Sequence, residues 1–372
     1  MRGRPIAVVV IGDLARSPRM VNHARELART GRSVWLVGLR ERELDVPAGV
    51  RVAPLRAWRT VGGWGVAGAA LRMALTFVQL MAALARRRPA AILVQNPPTF
   101  PTLTAAWMAG RLVGARLLVD WHNYGWSMLA MRLGKDHAIV RLAARHEGWL
   151  ARRPAHHFCV SHALESDLQV RFAVSARVLY DRPIELLPAS PEGVRLIAVC
   201  PAGWTADEDM ALLLDALALL TVRDLEIHLT GDGPLRAPLE PRIAALRAAG
   251  HSIHTGYLSA TGYRELLARC HLGLSLHRSS SGLDLAMKVV DLFAAGVPVC
   301  ALDYGATLRE QVRDGETGFL FRDAGELAAL LDRLQRQPAA LVPMRERVRE
   351  SWRGTWSEEW LRVAAPAFEG TC

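Results

Sequence analysis

Short apolar, β-branched runs recur along the chain, separated by longer segments of mixed polarity. Ile6–Ile11, Val34–Gly38, Ala91–Gln95, Leu117–Asp120 and His157–Val160 read as strands buried on both faces, because such runs lack the polar alternate positions of a half-exposed strand. Helices are expected from Arg19 to about Thr30, where Gly31 stops the chain, over Ile139–Ala151 and near Ala163–Gln169. The pattern restarts at Leu196–Cys200 and continues through Glu226–Thr230, His254–Tyr257, Leu272–Leu276, Val297–Leu302 and Phe319–Phe321. Helical segments at Met210–Leu220, Tyr263–Ala268, Leu283–Ala295, Thr307–Arg313, Ala324–Leu334 and Met344–Arg353 fall between and after these strands. Strands alternating with helices predict the α/β class with two doubly wound sheets. Tyr180–Ile184 reads as the linker, giving domains at 1–185 and 186–350 and a closing helical segment at 351–372.

One stretch does not fit this alternation. From Val61 to Ala85 the chain is apolar, with Arg72 inside it, glycines at its start and Arg86, Arg87 and Arg88 behind it, which makes a poor transmembrane span. It either lies on a membrane surface as an amphipathic helix with a basic flank or packs on the sheet as a core helix.

A length of 372 residues suits two domains, and 51% hydrophobic with 22% charged residues is a globular composition. The net charge of +10 is spread along the chain and favours anionic partners: a sugar nucleotide, a lipid pyrophosphate or an acidic membrane surface. No nucleic-acid motif is present, so nucleic acid is not an expected partner. The five cysteines have no close pair and mostly occupy apolar runs, as expected of reduced residues in a cytoplasmic protein. The chain opens directly into a strand, which predicts no signal peptide.

The densest chemistry lies in His277–Ala301, a strand end, a small-residue loop, a helix and another strand. Ser280, Ser281 and Gly282 ahead of a helix are expected to offer backbone N–H groups to a phosphate, with Arg278 and Lys288 as cations beside it. Lys288 is one of only two lysines against forty-four arginines, and a compact ammonium suits a phosphate as a point charge. Asp284, Lys288 and Asp291 are spaced to share one helix face. The competing reading makes Asp284–Lys288 an ordinary i,i+4 pair and the serines a capping loop. Upstream, Asp207-Glu208-Asp209 has the look of a metal-binding carboxylate pair, but Thr205 with Glu208 reads as a capping box, which explains the acidic cluster better; no metal site is expected.

The string from Ser279 to Ala301 resembles the donor-site signature of glycosyltransferase family 33, the chitobiosyldiphosphodolichol β-mannosyltransferases. Gly12–Met20, Gln95–Pro98, Asp120–Gly125, Tyr180–Pro183, Trp204–Asp209 and Thr230–Leu235 resemble the same family in the same order, so the resemblance covers nearly the whole chain. It implies the GT-B fold, two Rossmann-like domains facing a central cleft, with the last helix crossing back to the first domain. It also implies an inverting transfer from GDP-mannose to a lipid-pyrophosphate-linked sugar, in a β-1,4 linkage, with no cofactor. Under it, Asp291 would meet the ribose hydroxyls and Asp284 would bind sugar hydroxyls or cap the helix. The acceptor side would fall to Arg16, Ser17, Arg19, Asn123 and Tyr124. The sequence departs from the family pattern at Arg278, where a smaller neutral residue is expected, and shows no counterpart of the eukaryotic N-terminal anchor. The expected location is therefore the cytoplasm, including the inner face of the cell membrane.

An inverting displacement needs a general base on the acceptor side. His122 is the leading candidate, with Asp120 two residues before it orienting the ring; Asp13 and Asp120 itself are the alternatives. Two further enzyme readings share the donor half, a retaining GT-B transferase and a nucleotide-sugar epimerase. A non-enzymatic reading is an inactive member that binds a lipid-linked sugar or a partner transferase.

Overall fold

The computed structural model describes residues 3–58, 65–187, 195–352 and 354–369. The chain forms two compact units, Met1–Asp181 with Trp356–Cys372, and Arg182–Thr355. The break therefore falls at 181/182, earlier than the expected 185/186, and the return falls at Trp356, later than 351.

The first unit is built on seven strands: β1 (Ile6–Asp13), β2 (Val34–Leu39), β3 (Val50–Leu55), β4 (Ala91–Asn96), β5 (Arg116–Trp121), β6 (His156–Cys159) and β7 (Arg177–Val178). All pairs are parallel, in the order β3-β2-β1-β4-β5-β6-β7. Its helices are α1 (Pro18–Arg29), α2 (Val66–Arg87), α3 (Thr104–Val113), α4 (Gly125–Leu133), α5 (Ala138–Ala151) and α6 (His162–Phe172). Alternate β1 residues Ile6, Val8 and Val10 bury against α1 and the C-terminal helix Trp356–Val363, while Ala7 and Val9, equally buried, face the other layer. The edge strand β3 escapes the apolar-run criterion because Arg51 and Pro54 interrupt it; proline is tolerated at an edge, where a ladder donor can be spared.

α2 is part buried and part exposed. Ala67–Arg87 is long and apolar enough to cross a membrane by composition alone. Leu80 and Leu84 nevertheless have no exposed surface, whereas Leu71, Met73 and Val78 lie open. The residues from Val61 to Trp64 fall outside the described structure.

The second unit has six parallel strands, β8 (Leu196–Pro201), β9 (Leu225–Thr230), β10 (Ser252–Gly256), β11 (Leu272–Ser275), β12 (Val299–Leu302) and β13 (Gly318–Phe321), in the order β10-β9-β8-β11-β12-β13. Helices α7 (Met210–Ala218), α8 (Arg236–Ala248) and α12 (Ala324–Arg336) cover one face. α9 (Ala260–Arg269), α10 (Met287–Ala294) and α13 (Leu341–Ser351) cover the other, and α11 (Ala306–Gln311) follows β12. In each sheet the strand order reverses once, between β1 and β4 and between β8 and β11, and the loops leaving those carboxyl ends diverge to open a crevice. That topology selects which loops can hold a ligand.

A buried charge network ties the first unit together. Asp120, at the end of β5, has no exposed surface and receives a bidentate pair from Arg19 of α1, Nε to Oδ2 at 2.7 Å and Nη2 to Oδ1 at 2.8 Å. Arg19 also reaches Asp181 at 3.1 Å and donates to the Leu179 carbonyl at 2.8 Å. His23, one turn along α1, receives the Trp360 indole N–H at Nδ1 (2.9 Å) and so carries its own proton on Nε2, which donates to Asp120 Oδ2 at 3.2 Å. Burial alone would raise the Asp120 pKa, but Arg19 and the two histidines outweigh it and hold the carboxyl well below the usual range. Burial pushes the His23 pKa down despite its bond to Asp120.

Both shifts have the same consequence for acid stability. A depressed carboxylate stabilises the fold above its unfolded pKa of about 3.9, and the stabilisation is lost as pH falls below that value. A depressed imidazole leaves a proton that the unfolded chain binds below about pH 6.5, so stability declines in the same direction. Asp120→Asn should cost about 3–5 kcal/mol, because it leaves Arg19 buried without its main counter-charge. Urea melts from pH 7 to pH 3 check this: the variant should be less stable at pH 7 and flatter in its pH dependence, and an unchanged midpoint would show that the pair contributes nothing.

Candidate active site

The crevice of the second unit lies between the loop after β8 and the loop after β11. After β11 the chain does not enter a helix at Leu283, as its pattern suggests, but stays irregular until Met287; Ala286 is extended and precedes α10 without a side-chain cap. Asp284 thus lies in the loop, and only Lys288 and Asp291 share a helical face. The loop is closed on itself. Asp284 Oδ2 bonds His277 Nε2 at 2.7 Å, and Oδ1 accepts from Ser279 Oγ. The amides of Ser281 and Gly282 donate to Ser279 Oγ at 3.2 and 2.7 Å, and Leu283 N donates to Ser281 Oγ. These amides, expected to point at a phosphate, are turned onto the loop's own hydroxyl, which satisfies them when no anion is present. Asp284 is committed to the strand end and caps no helix. Gly282 adopts φ +78°, and an added Cβ would press on the Tyr304 carbonyl, so the turn requires glycine.

Facing this loop, the three carboxylates Asp207, Glu208 and Asp209 each meet a different cation. Asp207 lies 3.9 Å from His277 Nδ1, Glu208 pairs with Lys288 Nζ, and Asp209 accepts from Arg278 Nε and Nη2 at 2.9 and 2.6 Å. The expected capping box is replaced: Asp209 caps α7 by accepting from Leu212 N at 3.0 Å, while Glu208 turns back to the amides of Gly203 and Trp204. The reason is register, since a bridge between Glu208 and His277 aligns the two loops and brings Glu208 to Lys288. Gly231 and Gly233 pass so close to the carbonyls of Ala202 and Gly203 that a Cβ would overlap them, which explains the Gly-Asp-Gly turn.

His277 and Glu208 belong to this site; the sequence reading gave Glu208 only a capping role and His277 none. Burial lowers the His277 pKa, but Asp284 and Asp207 outweigh it and raise it overall, adding a third cation beside Arg278 and Lys288. Asp291 is exposed on α10. A histidine ending a strand seven residues before an aspartate was the available signal, but only the folded loop brings the two into contact.

In the first unit the loop after β1 and the segment after β5 flank the strand-order reversal. Asp13 caps the turn Leu14–Arg16, its Oδ1 accepting from Ala15 N and Glu41 N, with Oδ2 3.8 Å from Arg42. Arg16 is exposed, and Ser17 Oγ donates to the Asp13 carbonyl at 3.2 Å. Three residues expected on the acceptor side face inward instead. Arg19 is spent on Asp120 and Asp181. Tyr124 has no exposed surface and donates to Asp167 at 2.6 Å. Asn123 is buried, its Oδ1 accepting from Tyr124 N and Ser127 Oγ where α4 begins. The cause is the abrupt strand-to-helix turn, whose first amides are held by the buried Glu147 carboxylate. His122 stays partly open, 23% exposed, with Nε2 3.0 Å from Asp120 Oδ2. Because Asp120 is ionised, Nε2 carries the proton and Nδ1 keeps the lone pair. Asp120, surrounded by Arg19 and two histidines, is the poorest base of the three candidates.

Two sequence families match the chain: "Glycosyl transferase 4-like domain" over residues 17–180 and "Glycosyl transferases group 1" over residues 195–337. The chitobiosyldiphosphodolichol beta-mannosyltransferase of Mus musculus is 33% identical, over 98% of this chain and 89% of its own length. The Arabidopsis thaliana protein named UDP-glycosyltransferase TURAN is 31% identical, over 96% of this chain and 97% of its own length. Among solved structures, Anabaena HepE in complex with UDP and glucose has a TM-score of 0.72 at 15% identity, covering 99% of this chain and all of that one, which shows the shared fold. With two parallel-sheet Rossmann-like units and relatives that match over nearly its whole length, the chain belongs to the chitobiosyldiphosphodolichol beta-mannosyltransferase family of GT-B glycosyltransferases.

Proposed function

We propose that the protein transfers a mannosyl group from GDP-mannose to a lipid-pyrophosphate-linked sugar, with inversion and in a β-1,4 linkage. The observation that carries this reading is the 33% identity over 98% of the chain to a relative named as a beta-mannosyltransferase of chitobiosyldiphosphodolichol; the GDP-mannose donor, the inversion and the β-1,4 position are part of the proposal. The donor diphosphate is bound by the 277–288 loop and α10. It displaces Glu208 from Lys288 and draws the Ser281 and Gly282 amides away from Ser279, so carboxylates that neutralise the cations at rest give way to the phosphates. Leaving-group charge is then stabilised by the cations and the amides so released, donors aimed at the charge that develops. The transfer needs no metal ion in this reading, because Arg278, Lys288 and His277 supply the positive charge beside the phosphates. The acceptor hydroxyl loses its proton to His122 Nδ1, while Asp120 holds the opposite side of the ring.

A uridine nucleotide is the competing donor, favoured by the name of the Arabidopsis relative. Thermal unfolding with GDP, GDP-mannose, UDP and UDP-sugars separates the two, since a true ligand stabilises the fold by mass action. GDP and GDP-mannose should raise the midpoint and UDP should not, and Lys288→Ala should weaken GDP binding at least about tenfold through loss of a charge-assisted contact. Stabilisation by UDP alone would overturn the donor and leave the transferase standing. For the base, His122→Ala and His122→Gln should keep GDP affinity and lose transfer by about 10²–10⁴-fold. A loss of only a few-fold would remove His122 from that role. Transfer should also persist in excess chelator; activity restored only by Mn²⁺ or Mg²⁺ would refute metal independence.

A further inference from the structure

On the face of the second sheet covered by α9, α10 and α13, the apolar layer does not extend to the edge. The cross-strand rows there run from Ile197 to Glu226 and from Val199 through His228 to His254, so residues continuing a buried face become ionisable side chains over β9 and β10. Glu226 and His228 are two apart on β9 and point the same way, and His254 sits directly opposite His228. The two imidazoles stack with centroids 4.7 Å apart, and Glu226 Oε1 lies 2.7 Å from His228 Nε2 and 3.9 Å from His254 Nε2. One ligand atom from each falls within 4.8 Å of the others.

We infer that Glu226, His228 and His254 form a site for a divalent cation of the zinc class, which pins the edge strand β10 to β9. Two imidazoles and a carboxylate are the donor set that suits zinc, and bonds of about 2.0–2.1 Å in a tetrahedron place ligand atoms roughly 3.3 Å apart. The observed 2.7 and 3.9 Å bracket that spacing, so small side-chain rotations suffice. The other Glu226 oxygen, Oε2, lies 3.6 Å from Arg195, which also pairs with Asp224; this outer contact leaves Oε1 to the histidines. His254 is 56% exposed, which gives an ion an entry path, and three protein ligands leave a fourth position for water.

The cation has a structural role. β9 and β10 lie on the opposite side of β8 from β11 and the Ser279–Ala286 loop, and Glu226 is near the amino end of its strand while that loop leaves a carboxyl end. The inference is independent of the donor assignment.

The test uses the full chain without a polyhistidine tag, stripped with chelator and titrated with ZnCl₂ by calorimetry, with thermal unfolding in parallel. One equivalent should bind and raise the unfolding midpoint. His254→Ala, at an exposed position that the fold tolerates, and the pair His228→Ala with His254→Ala should each lose more affinity than the roughly 10- to 100-fold that outer-shell partners alone contribute. Co²⁺ in place of zinc should give the visible bands of a tetrahedral centre in the parent chain and not in the double variant. Absence of saturable zinc binding, or binding undiminished in the double variant, would overturn the site.

Discussion

The first unit depends on keeping one carboxylate ionised out of contact with water. Asp120 is fully buried, and an anion there is tolerable only if its lone pairs are filled by strong donors. Arg19 supplies two bonds, His23 and His122 one each. Through these partners, segments far apart in the chain are held at one point: α1 directly, the chain after β7 through Asp181, and the C-terminal helix through Trp360 and His23. The same carboxylate fixes the His122 tautomer that a general base requires. In the proposed mechanism stability and chemistry are therefore coupled, and a substitution at Asp120 acts on both.

The second unit handles charge in the opposite way. Its cations range from the mostly buried His277 to the exposed Arg278, and each faces a carboxylate of the loop after β8, with Asp284 of its own loop also held by His277. The outermost pair, Arg278 with Asp209, is individually weak, which in the proposed reaction suits a contact that a diphosphate displaces. The loop amides follow the same logic, resting on Ser279 Oγ in a bond that costs little to exchange.

The strand-order reversal in each sheet links these two arrangements to the sequence. A parallel strand buried on both faces leaves only its carboxyl end for polar side chains, so Asp13, His122 and His277 all follow strands. Sequence periodicity locates those strand ends, but not which of them are neighbours.

What the amino-acid sequence determined by itself was the α/β alternation, most strand positions to within a residue or two, and the small-residue loop after β11, because these follow from local apolar runs, glycine stops and small-residue loops. Its misses include interrupted elements such as β3, with Arg51 and Pro54, and α8, with Pro241 inside it, and also the apolar helices α3 and α4. Only tertiary structure decided the direction in which polar side chains point. Arg19, Asn123 and Tyr124 have the residue types of a binding surface, yet each buries its polar atoms against partners one to about 160 positions away. Likewise Glu208 is a plausible helix-capping residue in sequence, and becomes the partner of Lys288 only because β8 and β11 are adjacent in the sheet. Local pattern records whether a residue prefers water; which partner replaces that water is set by long-range packing, and no spacing along the chain encodes it.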